Sequence, residues 1–302
     1  MKLEGIHHIT AITSDAPQNV RFYAGTLGLR MVKKTVNQDD PTIYHLFYAD
    51  EKGSPGSDIT FFEYPGAPRG RAGDGMVHRI VWRVSSPEAL DFWDDRLTGA
   101  GVTVERSDRS LIFADPEGLG LQIALVETDE DPLIADHPEV PREVALQGFH
   151  GVRAYGSQPE ASERLFDALG FSPSGAGSWE VRGDERSGFY VFDEPQGSRG
   201  MSGGGTVHHV AWSSRPDDHE AWRERALSAG AQVTPVIDRF YFRSIYFREP
   251  SGVLFEIATM GPGFTADEPL ESLGERLSLP PDYEHLRDKL QDVLTPLPNP
   301  RG

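Results

Sequence analysis

The chain has 302 residues, 38% hydrophobic and 10% aromatic, enough to bury one large core or two medium ones. Its 29 basic residues against 47 acidic ones give a formal charge of -18, which repels phosphate backbones and anionic lipid, so neither nucleic acid nor membrane is an expected partner. Cysteine is absent, which excludes disulfides and thiolate metal sites; with no leader-like N-terminus and no apolar run of ~20 residues, a cytoplasmic protein is expected.

Taken in order, four segments repeat one plan: 5–64, 76–127, 148–194 and 206–259. Each opens with a short apolar strand containing histidine (IHHITAI, VHRIVWRV, FHGVRAY, VHHVAWS), continues into an amphipathic helix and finishes with strands. The apolar helix positions are Val20, Tyr23 and Leu27, then Leu90, Trp93 and Leu97, then Ala161, Leu165 and Leu169, then Ala221, Trp222 and Leu227. Gly28, Gly101, Gly170 and Gly230 sit where a left-handed cap would stop each helix. The phrases Pro65-Gly66-Ala67-Pro68-Arg69-Gly70 and Pro195-Gln196-Gly197-Ser198-Arg199-Gly200 each lead into the next opening strand, so the chain reads as two copies of a two-module unit. The expected division is a two-module unit over 1–127, a linker over 128–146, a second two-module unit over 147–260 and a tail over 261–302. In the tail, Tyr283, Leu286, Leu290 and Val293 fall at helical spacing and predict a docking helix.

Without cysteine, a metal must sit on His, Asp or Glu. Aligning the opening strands puts His7, His78, His150 and His208 in one column and His8, Arg79, Gly151 and His209 in the next. Histidine in all four copies suits a packing role, whereas histidine kept only in modules one and four suits a ligand. Glu256 in the apolar run Val253 to Ala258 corresponds to Gln122 in module two, so module four has the carboxylate that module two lacks. An unpaired buried carboxylate is costly, so a cation is expected beside it. His8, His209 and Glu256 are therefore the predicted metal ligands, a set of two histidines and one carboxylate suited to non-haem Fe(II), with Mn(II) as the alternative. A hairpin centred on Ser251 places Tyr246 directly across from Glu256, facing the same cavity. His45 reads as a hydrogen-bonded core residue, and Phe264 and Asp267 are expected near the cavity mouth.

The phrases Phe22-Tyr23 through Leu27-Gly28-Leu29, Leu169-Gly170-Phe171, Phe113-Ala114-Asp115-Pro116-Glu117-Gly118 and Phe247-Arg248-Glu249-Pro250-Ser251-Gly252 resemble the vicinal oxygen chelate superfamily (glyoxalase, bleomycin resistance and dioxygenase proteins). Ile43 to Asp50, Gly53-Ser54-Pro55-Gly56 and Gly263-Phe264-Thr265 are similar to its hydroquinone-type ring-cleaving dioxygenases. The resemblance implies an α+β fold of four tandem βαβββ modules forming paired open barrels around a metal. It implies that Tyr246, Arg239, His208, His7 and Thr10 bind or activate substrate, although plain strand alternation would turn His7 and His208 away from His8 and His209. It implies a small aromatic substrate and O2 as partners, and leaves a homo-oligomer open. The expected activity is an extradiol-type, Fe(II)-dependent ring-cleaving dioxygenase. The alternatives are a glyoxalase-like isomerase or lyase and a non-catalytic binding or resistance protein. The isomerase usually needs a fourth ligand; Phe62 is expected at that position, and a one-residue slip would bring Glu63.

Overall fold

The computed structural model describes residues 1–197 and 199–298; Ser198, within the second linker phrase, lies outside them. Module one contributes β1 (Ile6–Thr13), β2 (Arg30–Val36), β3 (Tyr44–Ala49) and β4 (Asp58–Glu63). Module two contributes β5 (Met76–Val84), β6 (Glu105–Arg106), β7 (Ser110–Ala114) and β8 (Gly120–Leu125). Module three contributes β9 (Phe149–Tyr155), β10 (Phe171–Gly175), β11 (Ser178–Arg182) and β12 (Ser187–Asp193). Module four contributes β13 (Thr206–Ser214), β14 (Ile237–Asp238), β15 (Arg243–Arg248) and β16 (Leu254–Thr259).

These strands form two eight-stranded sheets, in the orders β14-β15-β16-β13-β1-β4-β3-β2 and β10-β11-β12-β9-β5-β8-β7-β6. The first sheet joins modules four and one through the antiparallel pair β1–β13, and the second joins two and three through β5–β9. This is the expected α+β architecture of paired, curled βαβββ modules. The modules that carry the predicted ligands share a sheet even though they lie at opposite ends of the sequence.

The helices explain their own positions. Helix α1 (Ala16–Val20) starts at Asp15, whose carboxylate accepts from the Gln18 amide at 2.9 Å, and it continues as a π-helical turn over Arg21–Thr26. Helix α2 (Pro87–Gly99) has Ser86 as cap and proline in its first turn. In both, the predicted apolar faces are buried. Module three begins its helical stretch as a 3-10 turn over Pro159–Ser162, which leaves Ala161 exposed, and Phe166 joins Leu165 and Leu169 on the buried face of α3 (Glu163–Leu169). In α4 (His219–Ser228) the inward face is His219, Trp222 and Ala226, while Ala221 and Leu227 point to solvent. The four stop glycines have φ of 68°, 79°, 83° and 100°, the left-handed region that a Cβ disfavours.

The two linker phrases, related by the sequence repeat, lie against each other, with bridges between Arg69 and Gly204 and between Arg71 and Met201. A Cβ at Gly73 would lie 2.2 Å from the Gly200 nitrogen, so that close approach needs glycine. The segment 128–146 has no helix or extended strand, yet Ile134, Val140 and Leu146 are buried. In the tail, a 3-10 turn over Pro281–Leu286 leads into α5 (Arg287–Val293), which buries Leu290; Leu294 is buried too, while Val293 is exposed.

Candidate metal centre

The histidines owe their directions to irregular strand pairing. Between Ile6 and His8 the β1–β13 register gains one residue on β1, which is His7; between Thr10 and Ala11 it gains one on β13, which is His208. In the second sheet the β5–β9 pair gains His78 and His150 in the same manner. All four first-column histidines are thus the extra residue of a β-bulge. A bulge breaks strict alternation and lets two consecutive side chains serve one side of the pair, so the expected opposition of His7 to His8 and of His208 to His209 does not arise.

The consequence at the first sheet is a matched pair of contacts. His7 Nδ1 lies 2.9 Å from His8 Nδ1, and His208 Nδ1 lies 2.8 Å from His209 Nδ1. His7 is buried and its Nε2 is 3.2 Å from the Thr259 carbonyl oxygen, whereas His208 is exposed at the rim. With both Nδ1 atoms engaged, the Nε2 atoms of His8 and His209 turn towards each other, 3.2 Å apart. Glu256 Oε2 completes the cluster at 2.8 Å from His209 Nε2 and 3.3 Å from His8 Nε2. The other carboxylate oxygen accepts a hydrogen bond from Ser244 Oγ at 2.5 Å.

The electrostatics of this cluster fit a cation. Glu256 is fully buried, and its Oε2 makes no hydrogen bond of normal geometry with any described residue. Burial alone would raise the Glu256 carboxyl, but His8 and His209 hold it well below the usual carboxylate range. His7 is pushed down to about 3 by burial, with His8 adding to the shift, so it is a neutral ring. The depression at Glu256 belongs to the state in which the His8 and His209 rings are protonated; in the other state, with both rings neutral and their protons on Nδ1, three lone pairs face one another within 3.3 Å, an arrangement that a divalent ion among them relieves. Among the described residues this trio is the one group of three or more such side chains placed to hold a metal.

Around the trio is a cavity of about 40 Å³ whose walls include His45, Phe62, Arg239, Tyr246 and the segment 35–39. Tyr246 pairs directly with Glu256 across β15–β16, as the hairpin count predicted. Its ring centroid is 5.9 Å from that of His209, and burial followed by the charge of Glu256 raises its hydroxyl pKa. The Arg239 guanidinium lies 5.4 Å from the Tyr246 ring centroid, with Nε 3.3 Å from the hydroxyl, and is fixed by both Asp39 carboxylate oxygens at 3.1 and 3.0 Å. Thr10 does not line the cavity; its Oγ1 bonds Thr60 Oγ1 at 2.8 Å.

Two expectations need correction. The residue that mirrors Glu256 in module one is Thr60, because Thr60 pairs with Thr10 as Glu256 pairs with Ala211, each partner lying two positions past the ligand histidine. Phe62 is two residues further along the same face and lines the cavity, while the Glu63 carboxylate accepts from the Ala16 amide, away from the cavity. Phe264 and Asp267 stand behind the wall: Phe264 packs on Phe47 and Tyr241, and Asp267 accepts from Lys33 Nζ at 2.7 Å and Tyr241 OH at 2.9 Å. His45 is the residue whose place sequence reasoning missed. It is hydrogen-bonded, as expected, through Nε2 to Thr60 Oγ1 at 2.9 Å, but it also forms part of the cavity wall. The usable signal was parity: His45 pairs with Phe62, itself expected to face the cavity.

Comparison with known proteins agrees with this geometry. Residues 5–123 and 117–257 match the model of the glyoxalase/bleomycin resistance protein/dioxygenase superfamily. The chain is 42% identical over 306 residues to MhqO of Bacillus subtilis (strain 168), named as a candidate ring-cleaving dioxygenase, covering 98% of this chain and 97% of that one. It is 33% identical over 308 residues to the chlorohydroquinone/hydroquinone 1,2-dioxygenase of Sphingobium indicum (strain UT26S), covering 96% and 95%. The crystal structure of a candidate dioxygenase from Bacillus subtilis subsp. subtilis str. 168 superposes with a TM-score of 0.90 at 41% identity, covering 98% of each chain. With four modules paired into two curled sheets and a buried His-His-Glu cluster in one of them, this chain belongs to the glyoxalase/bleomycin resistance protein/dioxygenase superfamily.

Proposed function

We propose that the chain is a ring-cleaving dioxygenase for a hydroquinone-type phenol, with His8, His209 and Glu256 as ligands of Fe(II), or of Mn(II) in its place. The observation that carries this reading is the convergence of His8 Nε2, His209 Nε2 and Glu256 Oε2 within 3.3 Å in the wall of the cavity. The names of the relatives support it. Held by these three side chains, such a metal would supply Lewis-acid and redox chemistry for the reaction of a phenol with O2.

The chain's own residues supply the rest. His7 and His208 fix the rings of His8 and His209, and Ser244 turns Oε2 of Glu256 inwards. Tyr246, held by Arg239, presents a hydroxyl above the ligands that can donate to a substrate oxygen or take part in moving its proton. Phe62, Phe242 and the other ring-bearing walls exclude water around an aromatic substrate. The loop carrying Gln38 and Asp39 borders the mouth, with Asp39 exposed and Gln38 half-buried, and is tied there by Asp39 to Arg239 and by Gln38 Nε2 to the Arg239 carbonyl at 2.8 Å.

A threonine at the position mirroring Glu256, with its hydroxyl engaged by His45 and Thr10, supplies no fourth carboxylate. That favours the three-ligand dioxygenase over the isomerase. The test is oxygen uptake by anaerobically Fe(II)-loaded protein, given hydroquinones, catechols and methylglyoxal–thiol adducts in turn. Uptake with a hydroquinone is expected; turnover of the adduct without uptake would replace this reading by the isomerase.

A further inference from the structure

The second sheet repeats the strand order of the first, so its concave face has a counterpart for each member of the trio. Val81 pairs with Gln122 as Ala211 pairs with Glu256, which puts Arg79 in the place of His209 and Gly151 in the place of His8. A Cβ at Gly151 would lie 2.5 Å from the Phe189 carbonyl oxygen, so that position admits no ligand side chain. Two of the three metal-binding functions are gone and a cation stands in place of a third.

Next to this position is a recess of about 480 Å³, reached by Arg69, Arg71 and Arg79, with His78, Tyr155 and Ile112 among its walls. The arginines are held without losing their charge. Arg69 donates to the backbone carbonyls of Glu117 and Pro116, and Arg71 to that of Arg199 at 3.1 Å. Arg79 is half-buried and makes no ion pair or hydrogen bond with any described residue. The acids nearby form no ion pair with it: Asp193, whose charge reaches Arg79, takes both Arg153 and His78, the Glu117 carboxylate takes Thr13 and Ser14, and Glu105, which also acts on Arg79 through its charge, is exposed at the rim. Burial and the neighbouring Arg153 guanidinium lower the pKa of Arg79, outweighing the charges of Asp193 and Glu105 that raise it. On a chain with formal charge -18, a recess with three arginines is a local reversal of sign. The His78 and Tyr155 rings stack at 4.0 Å and 11°, and with Ile112, Phe113 and Leu119 they give the recess an apolar side.

We propose that this recess binds a small organic carboxylate, with Arg79 as the fork that grips the carboxylate and the His78–Tyr155 stack and Ile112 as the wall for its apolar part. An arginine fork matches a carboxylate through two parallel hydrogen bonds, and an apolar wall selects against a bare inorganic anion. The site is independent of the reaction proposed above.

Calorimetric titration of benzoate and of inorganic phosphate tests it, using wild-type protein and the variants Arg79→Gln, Arg79→Lys and Glu256→Gln, each checked for folding by circular dichroism. Benzoate should bind wild-type and Glu256→Gln protein at one common site with Kd of about 1 mM or tighter. Arg79→Gln should weaken it about tenfold or more, as loss of a charged hydrogen-bond donor does. Arg79→Lys, which keeps the charge and loses the fork, should weaken it several-fold and carries the test if Arg79→Gln does not fold. Phosphate should bind at least about tenfold more weakly than benzoate. Absence of benzoate binding, equal binding after both Arg79 substitutions, or phosphate as tight as benzoate would overturn the proposal. So would loss of benzoate binding in Glu256→Gln alone, which would move the ligand to the His-His-Glu cluster.

Discussion

Ser244 Oγ stands 2.5 Å from Oε1 of Glu256, so the carboxylate oxygen not used by the histidines is held by a single hydroxyl on the neighbouring strand. Outer partners of this kind commonly carry 10- to 100-fold of metal affinity. Ser244→Ala is expected to weaken metal binding by about that factor with the fold intact, measured by competition against a chelator of known affinity. An unchanged affinity would make Ser244 a bystander. Alanine at His8, His209 or Glu256 should abolish stoichiometric binding in the same assay, while Gln122→Ala should leave it untouched.

Tyr246→Phe removes the hydroxyl that Arg239 holds and keeps the ring that packs by His209. Metal content should stay at the wild-type level while turnover of the aromatic substrate falls at least about tenfold, the lower end of what a placed acid or base contributes. Wild-type turnover in fully metallated Tyr246→Phe would assign the residue to packing.

The chain His45–Thr60–Thr10 runs from the cavity wall into the sheet. Thr60→Val keeps the side-chain shape and breaks both links, freeing the His45 ring to rotate. We expect kcat/KM for the phenol to fall by about tenfold, the cost of one lost orienting hydrogen bond, with metal content unchanged. If metal content falls in parallel with activity, the chain supports the ligands rather than the substrate.

Lys33 is fully buried between Asp267 and Glu268, so it clamps the tail against β2 from inside the protein. Removing one partner of such a group strands the others, and Lys33→Met should destabilise the fold by about 3–5 kcal/mol. A lowered melting temperature that Asp267→Asn and Glu268→Gln together largely restore would confirm that the loss comes from stranded carboxylates. A melt unchanged in Lys33→Met would show that the pair adds nothing.

What could be read in advance followed from repetition. Four copies of one strand phrase separated His8 and His209 from the remaining histidines, and the short turn around Ser251 fixed Tyr246 against Glu256. What could not be read followed from single-residue irregularities. A bulge is invisible in a two-residue period, so His7 and His208 could not be oriented until the β1–β13 register was known. The position mirroring Glu256 is Thr60, two residues before the expected Phe62 on the same face: strand alternation sets the face, and only the β1–β4 register sets the level along it. In α4 the apolar pattern is weak, and Ala226 competes with Ala221 and Leu227 on composition alone; only the packing of Trp222 decides which face turns inwards.

Because β1 and β13 are neighbours in space and far apart in sequence, the His-His-Glu cluster cannot exist on a ribosome-bound chain until its last module has emerged. His8 leaves 248 residues ahead of Glu256, a wait of about 12 to 50 s at ordinary elongation rates. During that interval β1 has β4 beside it and one open edge, the edge that β13 later covers. The predicted ligand set is therefore complete only late in synthesis: a nascent chain stalled anywhere before residue 256 holds at most two of the three side chains, and the first sheet closes over β1 in the same late step.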